Sequence, residues 1–189
     1  MALGLTALIK RFREETRGIA AVEFALILPL MLLLYIGSLE GGELISADRK
    51  VSTVAGTIGD LVARADPASS TNNLTLSKLD DYFAAADLIM SPFDDSKLTQ
   101  RVTCVQVDAG GKTKIMWSEA HNGATTLTVG DAYPLPSAMI AISKGDYVIV
   151  AEASYAFTPL FGIVFHSALN LYQEYYHLPR FGEYIPEPT

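Results

Sequence analysis

The sequence predicts an α+β protein: one long N-terminal helix, transmembrane and then amphipathic, followed by a small antiparallel-sheet domain with one short helix. Three observations predict it. From Ile19 to Leu39 a single charge, Glu23, interrupts a mostly apolar run. From Leu44 to Val62 apolar residues return at three- and four-residue intervals, the spacing of a helix with one buried face. Beyond Arg101 the pattern changes to alternation broken by glycine- and proline-containing turns, which marks strands.

At 189 residues the chain has room for one span and one domain of roughly 120 residues. Residues 1–18 read as a basic leader, expected to be cleaved, with Lys10, Arg11, Arg13 and Arg17 against Glu14 and Glu15. The formal net charge is −7, so the acidity lies after the span. Basic residues before a span place the N-terminus in the cytoplasm and the following domain outside. An acidic domain lacks the positive field that nucleic-acid binding requires. The apolar run is longer than the core of a secretory signal, about 7–15 residues, and no small-x-small site clearly closes it. It is long enough to cross a bilayer core of about 30 Å.

The helix is expected to cover 19–65, transmembrane over 19–39 and amphipathic over 40–65. Leu44, Val51, Val54, Ile58, Leu61 and Val62 form its amphipathic stripe, and Asp66-Pro67 ends it, since a residue before proline avoids helical dihedrals. Pro29 predicts a kink. The extracytoplasmic domain then spans 66–178. It opens with a polar loop (66–75) and a short helix in which Ser77 with Asp80 resembles an N-cap and Leu79, Phe83 and Leu88 share a face. Arg101–Val107 and Thr113–Glu119 flank the turn Asp108–Gly111 as a hairpin, with Ile115 and Trp117 on one face. His121-Asn122-Gly123 is a second turn, and Leu127–Val129 reads as a short strand. Met139–Ile142 fits either helix or strand. Tyr147–Phe157 and Ala168–His177 are the remaining strands, and Thr158–Gly162 between them is a break with exposed apolar residues. The proline-rich tail, 179–189, is expected to lie extended.

Glu23 is the unusual residue. A carboxylate within lipid is costly unless neutral or paired, and so marks a functional site. If the chain is cut after Gly18, Ile19 supplies a free α-amine and Glu23 becomes the fifth residue. The amine of a neighbouring copy is then a specific partner that offsets the desolvation of both charges. Ala20, Ala21 and Ala25 would let such helices approach closely. The plainer alternative is a glutamate at the membrane edge of a simple anchor.

The run R-G-I-A-A-V-E-F-A-L-I-L-P-L-M-L-L-L (Arg17–Leu34) resembles the N-terminus of TadE-like proteins, minor pilins (pseudopilins) of the tight-adherence (Tad/Flp) type IVb pilus system. The close resemblance covers roughly residues 11–45. It implies a pilin-like fold, with Gly18 before the cleavage point, Ile19 as the mature N-terminus, and Glu23 followed by Phe24 as subunit-assembly residues. It further implies processing by a prepilin peptidase. The expected partners are other pilins and pseudopilins, an inner-membrane assembly platform and membrane lipid. The expected location is the bacterial inner membrane, single-pass, with the C-terminal domain periplasmic and with incorporation into an adhesive surface pilus. At this length the chain resembles a minor subunit rather than the much shorter major pilin. The alternative is a single-pass anchor carrying a periplasmic sensor or ligand-binding domain.

Nothing in the sequence frames an enzyme, a cofactor or a metal site. There is no phosphate-binding loop, dinucleotide fingerprint or paired-cysteine motif. His121, His166 and His177 lack ligand spacing. Asp80-Asp81 and Asp94-Asp95 read as capping and loop solvation. The single cysteine, Cys104, excludes an internal disulfide and sits on an alternating strand, where a small buried residue is the simplest reading and a reactive thiol the alternative. Tyr172, Tyr175, Tyr176 and Tyr184 cluster late; they read as strand-face packing or as a contact surface.

Overall fold

The computed structural model describes residues 18–163, 165–182 and 184–189. The leader expected at 1–18 lies, apart from Gly18, outside these residues. Helix α1 (Ile19–Ala63) runs 45 residues without a break through Pro29, about 70 Å at 1.5 Å per residue. It ends two residues short of the expected Ala65. The turn beyond it is closed by the Ala65 and Arg64 N–H groups bonding back to Val62 and Leu61 carbonyls. Helix α2 (Leu76–Ile89) and a single 3₁₀ turn (Asp95–Lys97) precede β1 (Leu98–Val107) and β2 (Thr113–His121). A six-residue helix α3 (Ser137–Ile142), β3 (Tyr147–Phe157) and β4 (Leu169–His177) complete the order. The four strands form one antiparallel sheet in the order β2-β1-β3-β4.

The second half of α1 and α2 cover one face of this sheet. Val51, Val54, Ile58 and Val62 are buried there against Leu98, Val102, Cys104, Trp117, Ile149 and Ala153. Each such apolar side chain contributes roughly 1.5–3 kcal/mol on leaving water, so this stripe is what seats the helix. α1 approaches the sheet tightly at Gly59. A Cβ there would sit 2.4 Å from the His177 ring and 3.0 Å from the Ala151 Cβ. The opposite face of the sheet carries Val105, Val107, Ile115, Val148 and Val150, covered by Tyr133 and Leu135 of the connection after β2. The C-terminal segment closes the first core: the Trp117 Nε1–H donates to the Ile185 carbonyl at 2.7 Å, and Tyr184 packs on Tyr147.

Four local expectations are corrected. The N-cap of α2 is Thr75, whose extended backbone places Oγ1 to accept the Lys78 N–H at 3.3 Å; Ser77 is already inside the helix. Leu88 is exposed while Leu79, Phe83 and Ala86 are buried, because Leu88 falls on the opposite side of the helix from Leu79 at about 100° per residue. Ile115 and Trp117 face opposite sides of the sheet. Cys104 pairs with Trp117 but Val105 pairs with Ile115, so Met116 is an extra residue in β2, a bulge that reverses the alternation. Leu127–Val129 is not a strand. Instead the adjoining turn is pinned to β2 by the Gly130 N–H donating to the Ile115 carbonyl and the Ile115 N–H donating to the Asp131 carbonyl.

Candidate assembly interface

The N-terminal half of α1 is bare. Every residue from Ile19 to Tyr35 is exposed, Phe24 at 57%, and only Ile36 and Gly37 of the apolar run are half-covered. Gly18 is the residue before the helix, in helical backbone conformation and without a side-chain cap. Ile19 therefore starts the first turn. Glu23 lies four residues on, which is one turn along the same face, and is exposed. Gly41 and Gly42 meet nothing that a Cβ would touch, so no intrachain packing requires them. Among the described residues α1 is the one helix long and apolar enough to cross a membrane.

The C-terminal half is fastened by polar contacts along its edge as well as by its stripe. Asp48 accepts from Gln173 Nε2 at 2.8 Å, Ser52 and Tyr175 share a 2.6 Å hydroxyl bond, and Asp60 takes Arg180 and Arg64. The Arg180 guanidinium, followed by that of Arg64, holds the Asp60 carboxyl below its ordinary range. At the junction of the two halves sits Glu40. It is fully buried, and its two carboxylate oxygens accept the Ile163 and Phe165 N–H groups, each at 3.1 Å. Glu40 was not singled out in the sequence. Its only signal is that it is the first charge after the apolar run.

A second polar cluster lies on the sheet face away from α1. Arg101 and Glu152, register partners on β1 and β3, form a two-bond pair at 2.6 Å and 2.6 Å. The Tyr172 hydroxyl donates to the same carboxylate at 2.6 Å, and the Tyr133 hydroxyl to Glu174 at 2.5 Å. Burial first, then these carboxylates, push both phenols well above their usual range. The guanidinium's remaining nitrogen, Nη1, donates to the Thr125 carbonyl at 3.0 Å. Both partners of the ion pair are engaged within the chain, which makes it a cross-link between strands rather than a free anion site.

The other residues raised by the sequence separate. Cys104 is completely buried, and burial pushes its thiol up to about 12. His121 stacks on Phe83 and lies 3.3 Å from Asp87. His166 Nδ1 lies 2.8 Å from the Gly162 carbonyl. His177 lies at the α1–β4 contact with Nε2 unpartnered. Asp94 caps the 3₁₀ turn through Ser96, and Asp80 and Asp81 are exposed. Alternation puts Tyr172 and Tyr176 on the face away from α1 and Tyr175 towards it. Among the described residues no three His, Cys, Asp or Glu side chains converge on a metal-sized site.

The fold and this surface define a protein with one candidate membrane-spanning helix, continuous with the core helix of a four-stranded α+β domain. Residues 18–57 match the family model described as TadE-like protein, so over that segment the chain is similar to TadE-like proteins. The match points to a protein associated with the tight-adherence pilus. It ends within α1, and it therefore bears on the bare half and much of the covered half but not on the sheet. No curated protein and no solved structure matches the chain.

Proposed function

We propose that the chain is a minor pilin (pseudopilin) that takes part in assembling a tight-adherence (Flp) pilus used in surface adhesion, an assembly role rather than a catalytic one. The observation that carries this reading is the uncovered apolar half of α1, led by Gly18 and Ile19 and carrying one acid a single turn in. A prepilin peptidase removes residues 1–18 on the cytoplasmic side. The helix first holds the protein in the inner membrane, with its domain periplasmic. It then leaves the bilayer for a bundle of similar helices supplied by other pilins and pseudopilins at the assembly platform. Either environment keeps its apolar surface from water. In the bundle, Glu23 pairs with the Ile19 α-amine of a neighbouring subunit, and Phe24 packs beside it. The loss of water from both charges is offset only when they meet.

Intact mass of the membrane-fraction protein, with and without a co-expressed prepilin peptidase, tests this. The expected result is loss of the first eighteen residues only with the peptidase. An unchanged mass contradicts processing. Glu23→Ala is expected to insert normally but to lose most of its co-purification with the other pilus subunits. Undiminished co-purification contradicts the pairing.

A further inference from the structure

The segment Pro159–Phe165 (P-L-F-G-I-V-F) between β3 and β4 carries no charge. Exposed apolar residues that fall together in one segment mark an interaction site more than single ones do. Here Leu160 is 68% exposed, and Phe161 and Ile163 are also exposed. The loop is not free to swing, because the fully buried Glu40 carboxylate accepts the Ile163 and Phe165 N–H groups. A buried carboxylate is costly without such donors, so the tether fixes the height of the loop on α1. That height is informative. Glu40 directly follows Leu39, where the apolar run ends, and the half-covered residues Ile36 and Gly37 lie one turn before it. At 1.5 Å per residue the run from Ile19 takes up about 30 Å, the thickness of a bilayer core. The exposed side chains of the loop therefore stand at the outer boundary of that core.

We infer that Leu160–Ile163 forms a lipid-contacting foot, set into the boundary between headgroups and acyl chains of the extracytoplasmic leaflet beside the span. The occupant is lipid because the loop's exposed apolar side chains are tied, at the residue that follows the apolar run, to a helix whose own apolar residues are exposed. A partner protein would have to reach the same level through the headgroups. The foot fixes the angle at which the domain stands on the membrane. It must be withdrawn when the helix leaves the bilayer, so it opposes extraction until assembly supplies another cover. This inference rests on α1 crossing a bilayer.

The test uses the full chain in vesicles of phosphatidylethanolamine and phosphatidylglycerol. A polarity-sensitive thiol dye is placed at Leu160→Cys, Ile163→Cys, Phe181→Cys and Leu30→Cys in turn, Cys104 being buried and unreactive. Phe181 is exposed beside Arg180, whose backbone N–H bonds the Ala63 carbonyl at the far end of α1. Lipids brominated near the headgroup are expected to quench the dye at Leu160 and Ile163 several-fold more than at Phe181. Lipids brominated at the chain ends are expected to quench Leu30 most. Quenching at Leu160 and Ile163 no greater than at Phe181, with Leu30 quenched, overturns the foot and leaves the span standing. Leu30 unquenched overturns both. Shielding of Leu160 that appears only when other pilus subunits are added assigns the loop to a protein partner and overturns the lipid assignment. Glu40→Ala, which cuts the tether, is expected to reduce quenching at Leu160→Cys and leave Leu30→Cys unchanged; equal quenching at Leu160→Cys contradicts the role of Glu40.

Discussion

Residues 19–39 and 40–63 are one uninterrupted helix with two different surfaces. The second half has an apolar stripe on one side, Val51, Val54, Ile58 and Val62, and the chain's own sheet covers it. Apart from Glu23 the first half is apolar all round, and the described residues cover almost none of it. A stripe can be satisfied from one side; a fully apolar cylinder has to be surrounded. The difference teaches that the domain is complete without the first half, whereas the first half is incomplete without a bilayer or other helices. Glu40 marks the change, since it is the first fully buried residue along the helix.

Substitutions in the two halves should therefore fail in different assays. The largest effect is expected from Val54→Asp, which puts an unpaired carboxylate at a fully buried site and costs several kcal/mol. Near-ultraviolet circular dichroism should show loss of the folded domain, while the protein still fractionates with membranes. Leu30→Lys should do the reverse. A lysine near mid-span costs about 2.5–3.5 kcal/mol of insertion, so membrane-bound protein should fall while the melting of the domain is unchanged. If either variant fails in both assays, the two halves are not independent. Gly59→Ala is expected to destabilise the domain by about 1–3 kcal/mol, read as a lower melting midpoint, because its Cβ would strike the His177 ring. The same change at Gly41 or Gly42, where a Cβ meets nothing, should leave the midpoint where it is.

The smallest effect is a pH dependence at the same contact. Burial holds the His177 imidazole below its ordinary 6.5, with nearby Asp60 opposing that shift and Arg180 reinforcing it. The unfolded chain then takes up a proton that the folded chain refuses. Stability from this group is complete above about 6.5 and is lost as pH falls below it. Melting midpoints between neutral and mildly acid pH should decline, and His177→Gln should flatten the decline. An unchanged slope would show that the ring titrates normally. Asp60 has the opposite chemistry in a separate window: its lowered carboxyl adds stability above the ordinary 3.8 that is lost in stronger acid.

Much of this arrangement is legible in the residues, and the exceptions have physical reasons. The stripe from Val51 to Val62 follows from period, except that Leu61 is only half-buried; the burial of Cys104 follows too, and the strand expected at Tyr147–Phe157 is β3. The TadE-like segment is equally readable. The face reversal in β2 is not, because Ile115, Met116 and Trp117 are all apolar and either phase of alternation suits them; only the ladder with β1 shows which residue is extra. Leu88 shows the opposite case, since stepping around the helix from Leu79 puts it on the solvent side. Glu40 and the Arg101–Glu152 pair depend on partners 123 and 51 positions away along the chain, distances over which local pattern carries no information. Ile19 and Glu23 are placed on one face of α1 by the fold, but their proposed partner belongs to another chain.

Spin-label accessibility along α1 tests most directly whether its first half is covered from outside. Single labels at Phe24, Ile27, Leu30 and Leu34, and at Arg49 and Thr53 on the outer side of the second half, are compared in lipid vesicles using oxygen and a water-soluble nickel chelate as relaxants. The expected result is that all four positions of the first half, whatever their angle on the helix, are reached by oxygen and not by the chelate, while Arg49 and Thr53 are reached by the chelate. Chelate access to one side of the first half, repeating with the period of the helix, would contradict it, because the segment would then lie on a surface instead of being surrounded.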